Sequence, residues 1–298
     1  MPKNYWWNLT FEIERNFEEI IIWKLTELEV SSYAFNYLKD KENLSQVNIW
    51  LPNYKLDKTN RKTFEENFIN LFKENGYDKS NFIWDLIEEE HWINSWKKHW
   101  KPDPIGKDLL VLPCWMKLPE KYKNKLVLKI DPGAAFGTGS HPSTALCLER
   151  MEDISIKDKK VLDIGSGSGI LTIAAKILGS NEQCALDNDY LAVSSTRENF
   201  KLNFCNNNNL SVYLGSLPFL RNKYSLKNFD IILCNILAEV IKPLIPEMYL
   251  ALKRGGKIIL SGIIQDQKEE IIKVLNFNSF RIDNVSSKQE WISITAIK

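Results

Sequence analysis

Residues 161–171 read Val-Leu-Asp-Ile-Gly-Ser-Gly-Ser-Gly-Ile-Leu, an apolar strand that runs into three alternating glycines and then directly into a helix. With no Cβ at Gly165, Gly167 and Gly169 the backbone can turn sharply and lie against a ligand, and the N–H groups that open the helix have no partner within it. Such a turn suits a nucleotide-like cofactor; a strand-to-helix turn without a ligand is the competing reading. The spacing is G-x-G-x-G rather than the G-x-G-x-x-G of dinucleotide sites, so the turn alone does not decide. Asp187 ends an apolar segment 22 residues after Gly165, the separation at which a doubly wound sheet sets a carboxylate against both ribose hydroxyls. Its alternative role, capping the next helix, can be met by Asp189. Asn235 ends a nearly continuous apolar run beginning at Phe229, of the kind buried on both faces of a parallel sheet. Ligands in such sheets lie beyond the carboxyl ends of strands, so Asn235 is a site candidate, with an ordinary turn amide as the alternative.

Residues 131–144, Asp-Pro-Gly-Ala-Ala-Phe-Gly-Thr-Gly-Ser-His-Pro-Ser-Thr, are too rich in glycine for an ordinary connector and predict a shaped loop. Phe136 sits among small residues that let another group approach its ring; a structural interdomain loop is the alternative. Pro142 and Ser143 suit the first turn of a helix through Leu146 and Leu148. His141 has no carboxylate or nucleophile spaced to pair with it, so a loop-fixing hydrogen bond is expected of it rather than general-base work.

These residues need a scaffold, and hydrophobic periodicity describes one. After the glycine turn come a helix over 170–179, a strand over 183–187, a helix to about Asn203, a loop at the asparagine tract 206–209 and a strand over 210–214. The run from Phe229 is a fourth strand, 257–261 a fifth introduced by Gly255-Gly256, 267–275 a helix, and 280–285 with 291–297 a closing pair. Strands alternating with helices define an α/β, doubly wound, Rossmann-like sheet. Upstream, 5–12, 32–38, 46–51 and 81–86 read as strands, with helical stripes at Phe17, Ile20, Ile21, Leu25 and at Phe64, Phe68, Leu71, Phe72, the second ended by Gly76. That order, β-α-β-β-α-β, is the ferredoxin-like α+β arrangement, which names no function by itself. Between the two lies a helix-like segment in which Trp92, Trp96 and Trp100 share one face. Packing is expected of them ahead of substrate contact, with Lys97, Lys98 and Lys101 on a solvated face and Pro102 and Pro104 ending the helix. Residues 109–112 and 126–130 read as bridging strands. The expected domains are 1–88, a linker helix over 89–104, and 105–298.

The 298 residues, 44% hydrophobic, suffice for a substantial core. Thirty-nine basic and 38 acidic residues leave a net charge of +1, with no global preference for nucleic acid or an anionic membrane. Cys114, Cys147, Cys184, Cys205 and Cys234 are odd in number and scattered, which fits reduced thiols. His91, His99 and His141 have no metal-ligand spacing with them, so no metal is expected. No run approaches the ~18 apolar residues of a membrane helix, and the N-terminus lacks the apolar centre of a signal peptide. A cytoplasmic protein is expected.

The strand-helix alternation with its two-stranded finish resembles the class I S-adenosylmethionine-dependent methyltransferase form of the doubly wound fold, and Asp163 with its glycine turn, Asp187 and Asn235 stand where that class keeps cofactor contacts. The 131–144 loop, the 163–171 turn, Asn235-Ile236-Leu237-Ala238, Ser261-Gly262-Ile263 and Glu290-Trp291 together resemble the PrmA family of ribosomal protein L11 methyltransferases, along essentially the whole chain. The resemblance implies S-adenosyl-L-methionine as cofactor. It implies large-subunit ribosomal protein L11 as partner and substrate, methylated on lysine side chains and an N-terminal α-amino group, with the N-terminal domain holding it. It also implies cofactor contacts at Thr144, Gly165, Asp187 and Asn235, with Phe136, Gly167 and Asp163 as near neighbours. Two positions depart from the family pattern: Ser143 replaces a usual threonine and Ser166 a common cysteine, and neither change removes a needed group.

An amine attacking a sulfonium methyl needs positioning above all, worth up to about 7–11 kcal/mol in favourable cases. The amine must be neutral, which a desolvated pocket favours. Asn235 is the catalytic candidate, orienting the lone pair, and no general base is expected. A nucleic-acid methyltransferase acting on an exocyclic amine would share the fold, but such enzymes typically carry Asn-Pro-Pro-aromatic after the fourth strand, whereas Ile236-Leu237-Ala238 offers no aromatic clamp for a base. The near-neutral charge points the same way. A non-catalytic nucleotide-binding module explains the glycine turn but not the Phe136 loop. No direct nucleic-acid target, no membrane association and a monomer are expected.

Overall fold

A computed structural model describes residues 5–28, 30, 32–37, 43–53, 58–77, 81–88, 100–131, 141–204, 209–224 and 227–298. The chain divides into two compact units, Met1–Trp100 and Lys101–Lys298. Trp92 and Trp96, and the helix expected over them, lie outside the described residues.

In the first unit, β1 (Tyr5–Glu14), α1 (Glu18–Glu27), β2 (Tyr33–Tyr37), β3 (Leu44–Pro52), α2 (Lys58–Glu74) and β4 (Ile83–Glu88) follow the expected order. The strands form an antiparallel sheet in the order β2-β3-β1-β4, as in the ferredoxin-like arrangement. Alternation along β1 sends Leu9, Phe11 and Ile13 to one face, where they meet Val47 and Ile49 of β3 and the helical residues Ile21, Leu25, Phe68 and Phe72. Phe11 anchors this core, its ring centroid 5.4 Å from that of Phe68 and 5.9 Å from that of Phe72. Gly76, at φ +71°, lies just past the end of α2.

The second unit opens with a small sheet of β5 (Asp103–Ile105), β6 (Leu109–Pro113) and β7 (Leu126–Ile130), β5 antiparallel and β7 parallel to β6. Residues 103 and 104 were expected at the end of the linker helix. They are strand instead, because Ile105 is buried against the core of this unit and pairs with Leu109. Pro104, which would stop a helix, is tolerated in so short an edge strand.

The main sheet contains β8 (Lys160–Ile164), β9 (Glu182–Asp187), β10 (Leu210–Leu214), β11 (Phe229–Asn235), β12 (Leu252–Ile264), β13 (Arg281–Lys288) and β14 (Trp291–Ile297), ordered β10-β9-β8-β11-β12-β14-β13. β14 runs antiparallel to both its neighbours, and the remaining pairs are parallel. Helices α3 (Pro142–Asp153), α4 (Ile170–Ile177), α5 (Tyr190–Asn203), α6 (Leu217–Tyr224), α7 (Ala238–Ala251) and α8 (Lys268–Phe277) complete it. Each buried strand serves two cores. On β11, Ile231 and Leu233 join a cluster with residues of α3, α4 and α5, whereas Ile232 and Cys234 join one with residues of α6, α7 and α8.

One local reading changes, and one helix appears where none was read. β12 begins at Leu252, so Gly255 and Gly256 lie within the strand instead of introducing it. Helix α7 contains Pro243 and Pro246, residues that ordinarily break a helix; both are exposed, while Ala238, Ile241, Ile245 and Met248 supply the buried stripe that holds the helix to the sheet. No helix among the described residues is long and apolar enough to cross a membrane.

Candidate active site

The main sheet reverses its winding between β8 and β11, and a ligand crevice in such a sheet opens beyond the carboxyl ends of the strands at that switch point. Gly165, Gly167 and Gly169 follow β8 there, with φ values of +72°, +53° and +81°, a region that L side chains enter at a cost of about 1–2 kcal/mol each. Close approach adds to the requirement: a Cβ on Gly165 would run into Cγ2 of Ile236, and one on Gly169 would lie 3.0 Å from Cα of Thr196.

Asp187, at the end of β9, accepts the Gly167 N–H at Oδ2 (2.9 Å) and the Asp189 N–H at Oδ1 (3.0 Å). Asp189 caps α5 by accepting the Leu191 N–H at 2.8 Å. The two acids divide the work as their spacing allowed, leaving the Asp187 carboxylate against the glycine turn.

Asn235, at the end of β11, donates from Nδ2 to Oγ1 of Thr144 at 3.1 Å. Thr144 is fully buried in the first turn of α3. The other half of the amide, Oδ1, is buried with no hydrogen-bond partner among the described residues. An orphaned buried acceptor costs about 1–3 kcal/mol, a cost that a ligand donor or an ordered water relieves. Ser261 of β12 supports the same corner, its hydroxyl 3.0 Å from the Ser143 carbonyl and 3.1 Å from that of Ile292.

Asp163 lies beneath the turn, 1% exposed. Its Oδ2 accepts the Thr172 N–H (3.1 Å) and the Thr172 hydroxyl (2.6 Å), fastening β8 to the first turn of α4. Its Oδ1 has no hydrogen-bond partner among the described residues. Burial pushes the Asp163 carboxyl up to about 7, with Thr172 opposing the shift and Asp187 adding to it.

His141 is the N-cap of α3: Nδ1 accepts the Ser143 N–H at 3.3 Å and lies 2.8 Å from its hydroxyl, and the ring meets Trp291 edge-on at 4.7 Å. This is the loop-fixing bond expected of it. Burial lowers its pKa below the usual imidazole value, against the Glu290 carboxylate. Because the fold favours the neutral ring, the associated stability is present above an unfolded-state pKa of about 6.5 and is lost as the pH falls through the lower folded-state value. Urea midpoints measured between about pH 5 and 7 are expected to fall with pH more steeply in wild type than in His141→Asn, which keeps a capping side chain but does not titrate.

Thr144, Gly165, Gly167, Asp163, Asp187 and Asn235 are thus all found on elements that meet at the switch point. Phe136, with residues 132–140, lies outside the described residues. Sequence reasoning missed Ile236 as a packing partner of two glycines, and it missed Thr196 and Asn199, which are fully buried polar residues three apart on α5. Polar residues on the buried face of a helix were the available signal.

The strand order, the reversal between β8 and β11 and the glycine turn between a buried strand and its helix define a class I S-adenosylmethionine-dependent methyltransferase. Residues 5–298 match the model of the family described as ribosomal protein L11 methyltransferase (PrmA), and the chain belongs to that family. A ribosomal protein L11 methyltransferase of Prochlorococcus marinus (strain MIT 9515) is 57% identical over 298 residues, covering 100% of this chain and 99% of the relative. One from Synechococcus sp. (strain RCC307) is 38% identical over 286 residues, covering 96% and 95%. The crystal structure of a ribosomal protein L11 methylase from Lactobacillus delbrueckii subsp. bulgaricus superposes with a TM-score of 0.61 at 32% identity, covering 67% of this chain and 99% of that one. The cofactor is S-adenosyl-L-methionine. The residues present fit it: a turn after β8 whose alternate positions carry no side chain, a carboxylate at the end of β9 held against that turn by the Gly167 N–H, and a buried Asn235 oxygen without a partner among the described residues.

Proposed function

We propose that the chain methylates lysine side-chain amines and an N-terminal α-amino group of large-subunit ribosomal protein L11. The observation that carries this reading is the Asn235 amide: Nδ2 is held by Thr144 while Oδ1 is buried and bare. Holding one end fixes the direction of the other, so Oδ1 is an acceptor preset for an amine N–H. S-adenosyl-L-methionine supplies a methyl group on a sulfonium centre, open to in-line displacement by a neutral amine. Asn235 then orients the lone pair of that amine. Lysine, of pKa about 10.4, must first lose a proton; a desolvated site disfavours the ammonium form, and no dedicated general base is assigned. Catalysis is positional in this scheme.

Gly165, Gly167 and Asp187 form the floor and ribose side of the cofactor site, Thr144 and Asn235 the side facing the acceptor, with Asp163 and Phe136 as near neighbours. Residues 1–88 hold the substrate, 89–104 link, and 105–298 carry the chemistry. The enzyme works in the cytoplasm as a monomer, with no direct nucleic-acid target. Asp187→Ala is expected to raise the Kd for S-adenosylmethionine at least about tenfold by calorimetry, since one hydrogen bond to a charged group is worth about 1.5–3 kcal/mol. The reading as a whole is tested by incubating the protein with labelled S-adenosylmethionine and undermethylated ribosomal proteins, then locating the label by mass spectrometry. Label on L11 amines is expected. Label on RNA alone, which the nucleic-acid alternative requires, would overturn it.

A further inference from the structure

The glycine turn is held from behind by the helix that follows the second strand of the sheet. Thr196 and Asn199, three residues apart on α5 and therefore on one face, reach successive carbonyls of the turn: Thr196 Oγ1 donates to Gly167 O at 3.0 Å, and Asn199 Nδ2 donates to Ser168 O at 2.9 Å. Both side chains are fully buried. A hydroxyl has one proton. Since that of Thr196 goes to Gly167 O, the 2.9 Å contact between Thr196 and the Ser166 hydroxyl is donated by Ser166. Ser166 is one of the positions that departs from the usual family pattern, and here its hydroxyl completes a chain that runs Ser166, Thr196, Gly167.

Asn199 is committed at its other atoms as well. Its Oδ1 accepts the Asp131 N–H at 2.7 Å, and Nδ2 also lies 3.1 Å from Asp131 O. One helical turn further on, Asn203 treats Lys129 in the same way, accepting its N–H at 2.8 Å and donating to its carbonyl at 2.7 Å. Two amides on α5 thereby pair the backbone at alternate residues as a neighbouring strand would. Only the Asn199 amide continues to the glycine turn.

In a trans peptide the N–H points opposite to the C=O of the same unit. Drawing the Gly167 and Ser168 carbonyls toward α5 turns the Ser168 amide away from that helix, while the Gly169 N–H closes the turn on Ser166 O at 2.7 Å and Gly167 N–H is taken by Asp187. We propose that Thr196 and Asn199 are positioning residues that preorganise the glycine turn for S-adenosylmethionine, so that their loss weakens cofactor binding without entering the transfer step. The inference rests on the glycine turn being the floor of the cofactor site.

Calorimetry with S-adenosylmethionine alone tests it. Thr196→Val removes the hydroxyl at nearly constant volume, and Asn199→Asp keeps the acceptor for the Asp131 N–H but removes the donors to Ser168 O and Asp131 O. Each is expected to raise Kd about tenfold, as for a lost hydrogen bond that leaves a buried acceptor unpaired, with kcat at saturating cofactor within about threefold of wild type. Thr196→Ser should restore the wild-type Kd. In the ligand-free variants, hydrogen exchange over residues 165–169 should quicken. Asn203→Ala controls for general loosening: it should lower Tm and leave Kd unchanged. Wild-type Kd in both Thr196→Val and Asn199→Asp, alongside weakened binding in Asp187→Ala, would overturn the inference and leave the site reading intact. An equal rise in Kd for Asn203→Ala would overturn it too. Wild-type affinity in Asp187→Ala as well would overturn both the inference and the site reading.

Discussion

Asn235→Ala is expected to lower kcat for methyl transfer about 100-fold, a loss typical of displacing a reacting group by about 1 Å, and to lower cofactor affinity by much less. The asymmetry follows from how the side chain is held. Nδ2 is engaged by Thr144, whereas Oδ1 has no partner among the described residues and, in the proposed mechanism, receives the acceptor amine. Removing it takes away an interaction that matters once the amine is in place, which appears in kcat more than in the binding of S-adenosylmethionine. Single-turnover methylation with cofactor and protein substrate both saturating, together with calorimetric Kd values, separates the two effects. Normal cofactor binding with undiminished turnover would sink the role assigned to Asn235.

Gly262→Ala is expected to destabilise the second unit by about 2–5 kcal/mol and to reduce activity even where the protein remains folded. Gly262 sits in β12 at φ +79°, and a Cβ there would run into the carbonyl oxygen of Ile236. The left-handed backbone costs about 1–2 kcal/mol for an alanine, and overpacking against a fixed carbonyl adds about 1–3 kcal/mol. Ile236 is held on a second side as well, since its side chain packs over Gly165. Any displacement is passed to Asn235, its chain neighbour. Gly255 is the comparator, at φ +74° in the same strand, where an added Cβ would meet nothing within 4 Å. Gly255→Ala should carry the backbone cost alone and keep full activity. Equal urea midpoints for the two variants would show that the Ile236 contact contributes nothing.

The glycine turn, Asp187 and Asn235 were legible because each is a local signal: a glycine pattern between strand and helix, an acid at a set distance, a polar residue ending an apolar run. The β-α-β-β-α-β order of the first unit was legible for the same reason, since alternation along β1 and the Phe64, Phe68, Phe72 stripe are properties of short windows. Strand Asp103–Ile105 and helix Ala238–Ala251 were not. In both, prolines gave a local signal against an element that burial of Ile105, or of Ile241, Ile245 and Met248, stabilises from outside the window. Gly255-Gly256 was expected to introduce the fifth strand, yet β12 starts at Leu252 and its pairing with β11 skips from Leu252 to Lys257, with Gly256 packed against the Leu252 side chain and the Asp230 carbonyl inside that irregularity.

By itself the sequence determined where the backbone turns, which residues end the strands, and hence which side chains a switch point could collect. Only the tertiary structure decided how they are held. The direction of the Asn235 oxygen is set by Thr144, 91 residues earlier, which takes the other half of its amide. Ile236 fixes that corner because two distant glycines make room for it, and α5 holds the glycine turn through residues that look unremarkable in a helix read alone. Glycines and strand ends are set by the conformational preferences of the residues themselves. Pairings between distant segments depend on which surfaces the fold brings together, and no spacing along the chain encodes them.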